Sequence, residues 1–99
     1  MLTKNKLVKT IQDNTEEIKT FGVKRIGIFG SFIKSTQKNK SDIDILVEFQ
    51  GVKKTFDNYM ELKFFLERVF QRKVDLVIKE ALKPRIKQDI LREVFYAKL

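Results

Sequence analysis

The chain has 99 residues, 42% of them hydrophobic, a formal net charge of +8, and neither cysteine nor histidine. This length supports one hydrophobic core, so residues 1–99 are predicted to form a single domain. Without cysteine or histidine, any catalysis depends on carboxylates, lysines, hydroxyls and bound metal. No apolar run approaches the roughly 20 residues of a membrane span and no signal region is present, so we expect a cytoplasmic protein without a membrane partner.

The positive charge has two interpretations. A basic protein can bind a phosphate-rich partner such as a nucleic acid or a nucleotide. Here the 21 lysines and arginines are scattered along the chain rather than grouped in blocks. Scattered lysines commonly solvate helix surfaces, so we do not expect a nucleic-acid partner from the charge alone.

The hydrophobic spacing predicts helices and strands in alternation. Helices are predicted over 3–21 (with Gly22 as its stop), over 31–35, over 55–70 and from Pro84 onward. Strands are predicted over 24–29, 41–49 and 74–78. The last helix carries an apolar stripe formed by Ile86, Ile90, Leu91, Val94 and Phe95. The predicted fold class is α/β (α+β): a small mixed three-stranded sheet with helices packed against it, in the order αβ(α)βαβα.

The connections predict where the strands meet. A whole helix separates the second and third strands, and such a crossover usually joins parallel strands. The short link between the first and second strands allows an antiparallel pair, with the end of one beside the start of the next. This arrangement would gather Gly30, Ser31, Asp42, Asp44 and Asp75 at one edge of the sheet.

Asp42 and Asp44 are alternate residues of a predicted strand, so their side chains project to the same side. Carboxylates this close repel each other unless a positive charge compensates. Mg²⁺ prefers oxygen ligands and is often held by one or two carboxylates together with substrate phosphates. An isolated Asp-x-Asp is more often a solvated acidic edge, so the pair alone does not establish a metal site.

Asp75 strengthens the metal hypothesis. It lies in the otherwise apolar strand 74–78, where a buried carboxylate would be costly. It could be an exposed strand residue, or the partner of Arg72 or Lys73. It could also be the third carboxylate of a two-metal site, in which the ions clamp the entering and leaving oxygens of a displacement.

Gly30 and Ser31 follow the first strand. Glycine lets the backbone approach a ligand closely, and the next turn can present N–H groups and the Ser31 hydroxyl to a triphosphate. Taken alone, the pair could equally be an ordinary turn.

Together these segments resemble a known signature. Gly30-Ser31-Phe32 and Ser41-Asp42-Ile43-Asp44-Ile45-Leu46-Val47 are similar to the signature of the DNA polymerase β-type nucleotidyltransferase superfamily. The similarity is greatest to its minimal nucleotidyltransferases (MNT, or MntA-type proteins). It extends over nearly the whole chain, including Val74-Asp75-Leu76-Val77 and Leu82-Lys83-Pro84. Several correctly spaced elements are more specific than any single motif.

The resemblance implies a role for each matching residue. Gly30 and Ser31 match positions that hold the triphosphate of ATP. Asp42 and Asp44 match the paired ligands of two Mg²⁺ ions. Asp75 matches the third carboxylate, which binds metal and helps to activate the attacking hydroxyl.

One position pair departs from the family pattern. The family usually has Arg-Gly after its Gly-Ser pair, whereas this chain has Lys34 and Ser35. Lys34 can contact a nucleotide phosphate as a point charge but lacks the bidentate fork of arginine. Ser35 would be strained if the loop needs a positive φ there. The exchange therefore bears on nucleotide affinity or rate.

The resemblance also implies a partner. Minimal nucleotidyltransferases resemble antitoxins that inactivate HEPN-domain ribonuclease toxins by adding AMP to a tyrosine, so a HEPN-domain toxin is the expected partner. Superfamily members that act on tRNA ends, polynucleotides or antibiotics have further domains, and we expect the acceptor of this chain to bring its own surface. The alternatives are a non-catalytic antitoxin that neutralises by binding, favoured only by Lys34 and Ser35, and an RNA-directed enzyme, favoured only by the charge.

Overall fold

The computed structural model describes residues 2–34, 36–38 and 41–99, and all structural statements refer to these residues. The helices are α1 (Lys4–Asp13), α2 (Thr15–Thr20), α3 (Ser31–Lys34), α4 (Phe56–Phe70) and α5 (Pro84–Glu93). The strands are β1 (Val23–Phe29), β2 (Ile43–Phe49), β3 (Val74–Ile78) and β4 (Phe95–Ala97). Within the described ranges, no helix is long and apolar enough to cross a membrane.

The strands form one mixed sheet in the order β3-β2-β1-β4. Strand β1 is antiparallel to β2 and to β4, whereas β2 and β3 are parallel. The parallel pair is joined through α4, as a crossover connection requires. The predicted α/β class and the predicted strand directions are confirmed.

The predicted count of three strands is wrong, because a fourth strand follows α5. The last helix was predicted to continue through Val94 and Phe95, but it ends at Glu93, and Val94 has extended backbone angles (φ −62°, ψ 136°). Residues 95–97 then pair with β1, where Phe95 lies opposite Ile28. Pairing satisfies backbone groups at an otherwise open edge of the sheet, a tertiary effect that outweighs the helical spacing.

The first predicted helix, 3–21, is two helices that meet at Asn14. Asn14 has non-helical angles (φ −113°, ψ 23°), and its side-chain amide donates a hydrogen bond to the carbonyl of Thr10 (2.8 Å). An asparagine that bonds to nearby backbone competes with the regular helix pattern. Helix α2 ends before Gly22 as predicted, and Gly22 has the positive φ (+80°) that favours glycine.

Other boundaries differ from the predictions by a few residues. Strand β2 begins at Ile43 rather than at residue 41, so Asp42 immediately precedes it. Helix α4 begins after Thr55, whose hydroxyl accepts a hydrogen bond from the N–H of Asn58 (3.1 Å). The predicted short helix is confirmed over 31–34, and Ser35 lies outside the described residues.

The hydrophobic core lies on one face of the sheet. Alternate strand residues such as Ile28, Ile45 and Leu76 pack there with apolar residues of α1, α2 and α4. The opposite face of β2 carries Asp44 and Glu48. Residues two apart on a strand share a face, so alternate apolar residues of β2 face the core and its two acids face the other side of the sheet.

Candidate active site

The strand register brings the predicted site residues to one edge of the sheet. The Cα partner of Asp44 is Phe29 in the antiparallel ladder and Asp75 in the parallel ladder. Gly30 directly follows Phe29 at the end of β1. The predicted gathering of Gly30, Asp44 and Asp75 is therefore confirmed as a placement.

Gly30 lies directly against the carboxylate of Asp44. Its φ is +76°, and a β-carbon at this position would overlap with Oδ2 of Asp44. The carbonyl of Gly30 accepts hydrogen bonds from the N–H groups of Ile33 (3.0 Å) and Lys34 (3.1 Å), which close the short helix α3 against the strand end. Only glycine combines this backbone angle with room for the carboxylate.

The environment of Asp44 disfavours its charged form. Burial, together with the negative charges of Asp75, Asp42 and Glu93, raises the pKa of Asp44 from 3.8 to about 6. Desolvation and like charges are the causes that raise the pKa of a carboxyl group. Four carboxylates therefore share one small region.

Another carboxylate on the same face of β2 has a different environment. Glu48 is only 6% exposed, and its oxygens pair with Arg25 (3.5 Å) and Lys79 (3.6 Å). The hydroxyl of Tyr96 donates a hydrogen bond to the same carboxylate (3.4 Å). Glu48 is thus neutralised by protein cations, as buried carboxylates usually are.

In contrast, none of the described lysines or arginines forms an ion pair with Asp42, Asp44 or Asp75. Arg72, one expected partner of Asp75, instead approaches the carbonyl of Ser41 (3.5 Å). Asp75 is exposed, so the argument that a buried carboxylate needs a compensating ion does not apply to it. Its position beside Asp44 is the observation that supports a site. The cluster has oxygen donors and a negative charge that no cation of the described residues pairs with, and both properties suit Mg²⁺.

The carboxylates alone do not form a complete metal-binding site. Across residues 2–34, 36–38 and 41–99, no group of three or more acidic, histidine or cysteine side chains is arranged to hold an ion. The two observations are compatible, since Mg²⁺ commonly takes one or two carboxylates and completes its shell with water and substrate phosphates. Asp42, Asp44 and Asp75 would be the protein ligands.

Glu93 is a residue of this region that the sequence did not reveal. One oxygen of its carboxylate accepts a hydrogen bond from the N–H of Gly30 (3.0 Å), and the other pairs with Nζ of Lys34 (3.4 Å). Glu93 is the last residue of α5, so its position depends on the end of that helix. The sequence predicted that this helix continues through Phe95, so Glu93 was not expected at a helix end beside Gly30.

Comparison with known proteins places this arrangement in a family. A family model described as a nucleotidyltransferase domain matches residues 6–96. The chain belongs to the nucleotidyltransferase domain family. The protein adenylyltransferase MntA of Thermococcus cleftensis is 38% identical over 97 residues, which cover 97% of either chain.

Solved structures with the same fold include toxin–antitoxin complexes. One, determined with AMP-PNP, is 27% identical with a TM-score of 0.70 over 98% of this chain and 73% of that chain. A variant of the MntA–HpeT toxin–antitoxin pair is 27% identical with a TM-score of 0.67, covering 97% of this chain and 72% of the other. The predictions that this chain is a nucleotidyltransferase and that it is an enzyme of that type are confirmed.

The contrast between Asp44 and Glu48 in this nucleotidyltransferase generates a stability prediction. The pKa of Asp44 is higher in the folded than in the unfolded chain, so its charge opposes folding fully above about pH 6 and ceases to do so below pH 3.8. We expect Asp44→Asn to raise the free energy of unfolding at pH 7.5 by about 1 kcal/mol, a value reduced for solvent screening of the half-buried group. Urea unfolding at pH 7.5 and at pH 4.5 should show the gain shrinking at the lower pH.

The matched change Glu48→Gln tests the other half of the contrast. It leaves Arg25 and Lys79 without their common anion, and we expect a loss of about 1–3 kcal/mol at pH 7.5. Destabilisation by both substitutions at pH 7.5 would contradict the inferred strain at Asp44.

Gly30→Ala tests the contact between backbone and carboxylate. Gly51→Ala is the matched control, because Gly51 also has a positive φ (+26°) but has open space around the added β-carbon. We expect Gly30→Ala to lose more stability than the control, with about 1–2 kcal/mol from the backbone angle alone. Adding Asp44→Ala should recover part of the excess in urea unfolding, and no recovery would argue against the steric contact.

Proposed function

We propose that this nucleotidyltransferase is a Mg²⁺-dependent protein adenylyltransferase that transfers AMP from ATP to a tyrosine hydroxyl of a HEPN-domain toxin, acting as its antitoxin in the cytoplasm. The observation that carries the proposal is the set of carboxylates beside Gly30 that no cation of the described residues pairs with, Asp42, Asp44 and Asp75. The similarity to a protein adenylyltransferase and to antitoxin chains of toxin–antitoxin complexes supports the acceptor class. We propose that residues 1–99 act as one minimal domain.

Each site residue has a proposed task in nucleotide binding. The N–H of Gly30, the hydroxyl of Ser31 and the ammonium of Lys34 would hold the triphosphate. Asp42, Asp44 and Asp75 would hold two Mg²⁺ ions. Bound Mg²⁺ supplies the positive charge that offsets both the phosphates and the carboxylates and stabilises the leaving oxygen.

The transfer itself is a displacement at the α-phosphorus of ATP. The phenolic oxygen of the acceptor tyrosine forms a bond to this phosphorus as the bond to the bridging oxygen of the β-phosphate breaks. Pyrophosphate leaves with the bonding electron pair, and the phenolic proton passes to the carboxylate of Asp75. Asp75 suits this task because it is exposed on the edge strand β3, where a side chain of another protein can reach it.

Nucleotide binding should depend on a divalent cation. We expect calorimetry to detect ATP binding with Mg²⁺ or Mn²⁺ and to lose it with EDTA, because the triphosphate would otherwise face unscreened carboxylates. Asp44→Asn should impair the metal-dependent binding, whereas Asp57→Asn, an exposed acid in the first turn of α4, should not. Equal affinity with and without EDTA would remove the metal from the proposal.

The acceptor is tested with a HEPN-domain toxin co-expressed with this chain. Mass spectrometry should find AMP on a toxin tyrosine with the wild-type chain and with Asp57→Asn, but not with the double variant Asp42→Asn/Asp44→Asn, which lacks two proposed metal ligands. Toxin neutralised by the double variant without any AMP adduct would favour a non-catalytic antitoxin. Label from α-labelled ATP that appears on RNA instead would favour an RNA-directed enzyme.

A further inference from the structure

The carboxylate of Glu93 occupies the groups that the proposed function assigns to phosphate. Its two oxygens accept from the N–H of Gly30 (3.0 Å) and pair with the ammonium of Lys34 (3.4 Å). A backbone N–H next to a lysine ammonium is a common recognition pair for a phosphate oxygen. Glu93 therefore presents to this corner the same kind of anionic oxygen that a nucleotide would bring.

We propose that Glu93 is a built-in competitor of the nucleotide: its carboxylate fills the phosphate-binding corner in the free protein and leaves it when the triphosphate enters. The inference rests on the proposed function, since it requires Gly30 and Lys34 to bind phosphate. It adds a residue that sets nucleotide affinity without taking part in the transfer.

The contacts of Glu93 distinguish this role from that of a further metal ligand. Both of its oxygens face hydrogen-bond donors, and they engage one donor each. A metal ligand in the free protein would be expected to leave an oxygen directed at the other carboxylates. Glu93 and the triphosphate cannot both accept from the N–H of Gly30 in full, so one must displace the other.

The attachment of α5 permits this displacement. No residue of α5 is buried, so little core packing has to be broken when its last turn moves. The following residue, Val94, lies against Gly27 and donates its N–H to the carbonyl of Ile90 (2.9 Å). Removal of Glu93 from the corner therefore requires an adjustment at the end of one helix rather than a rearrangement of the sheet.

The competition predicts tighter nucleotide binding when Glu93 loses its charge. When the competent state is populated only in part, the apparent Kd is the intrinsic Kd divided by that fraction. We expect Glu93→Gln to lower the Kd for phosphate ligands by roughly threefold to tenfold, which corresponds to a competent fraction of about 0.1–0.3 in the wild-type chain. Glu93→Ala should lower it at least as much.

The probe is the Mg²⁺ complex of α,β-methylene-ATP, which cannot undergo transfer because carbon replaces the bridging oxygen. Inorganic tripolyphosphate with Mg²⁺ serves as a second probe without a base. The matched control is Asp89→Asn, which removes one negative charge from the same helix at an exposed residue that pairs with the exposed Arg92 (3.7 Å). The gain of Glu93→Gln over Asp89→Asn, measured by calorimetry for both probes, is the predicted quantity.

A second measurement needs no variant. In the wild-type chain, the probe should speed hydrogen exchange at the Val94 amide, because departure of Glu93 loosens the last turn of α5. A ligand that leaves Glu93 in place should slow that exchange or leave it unchanged, and this result would overturn the inference.

The outcomes separate the two proposals. Wild-type binding with Glu93→Gln no tighter than Asp89→Asn overturns the role of Glu93 and leaves the proposed function standing. Weaker binding by Glu93→Gln, the result expected of a metal ligand, overturns it as well. Failure of the wild-type chain to bind either probe with Mg²⁺ removes the proposed function together with this inference.

Discussion

Repulsion among carboxylates at one end of the sheet is the constraint on which the site depends. Backbone hydrogen bonds of two ladders hold Asp44 beside Asp75 and opposite the end of β1. Gly30 then leaves the Asp44 carboxylate the space that any other side chain would fill. The ladders fix the backbone positions of Asp44 and Asp75, so the folded chain retains a charge arrangement that opposes folding. Core packing on the other face of the sheet offsets this cost.

The two acids on the polar face of β2, Glu48 and Asp44, differ in whether cations neutralise them. Glu48 gathers Arg25, Lys79 and Tyr96 and so ties β1, β2 and β4 to the segment after β3. Asp44, four residues earlier on the same face, receives no such cation from the described residues. The two carboxylates therefore have opposite environments. Neighbouring segments place cations beside Glu48 and further acids beside Asp44. An acid with a raised pKa that no cation in the described part of the chain pairs with is a feature typical of functional sites.

The sequence predicted those parts of the site that depend on local residue patterns. The alternation correctly predicted strand β2, and the crossover through α4 correctly predicted its parallel pairing with β3, which sets Asp44 beside Asp75. Strand β4 was missed because three residues are too few to show a period, and because their partner, β1, lies far away in sequence. Glu93 was missed for the same reason, since its contact with Gly30 spans 63 positions and depends on where α5 ends. Local spacing carries no information about such contacts.

Lys34, at the position where the resemblance in sequence predicts an arginine, has a physical consequence for Glu93. An arginine could grip the Glu93 carboxylate with two parallel hydrogen bonds, in a geometry that favours the ion pair over exchange. Lysine instead holds it as a point charge, at 3.4 Å and with a side chain that is 63% exposed. A single solvated contact of this kind is weak and readily exchanged for another anion. Under the proposed function, a lysine that binds a phosphate less firmly than an arginine also binds the competing Glu93 carboxylate less firmly, so nucleotide affinity would depend on both residues together.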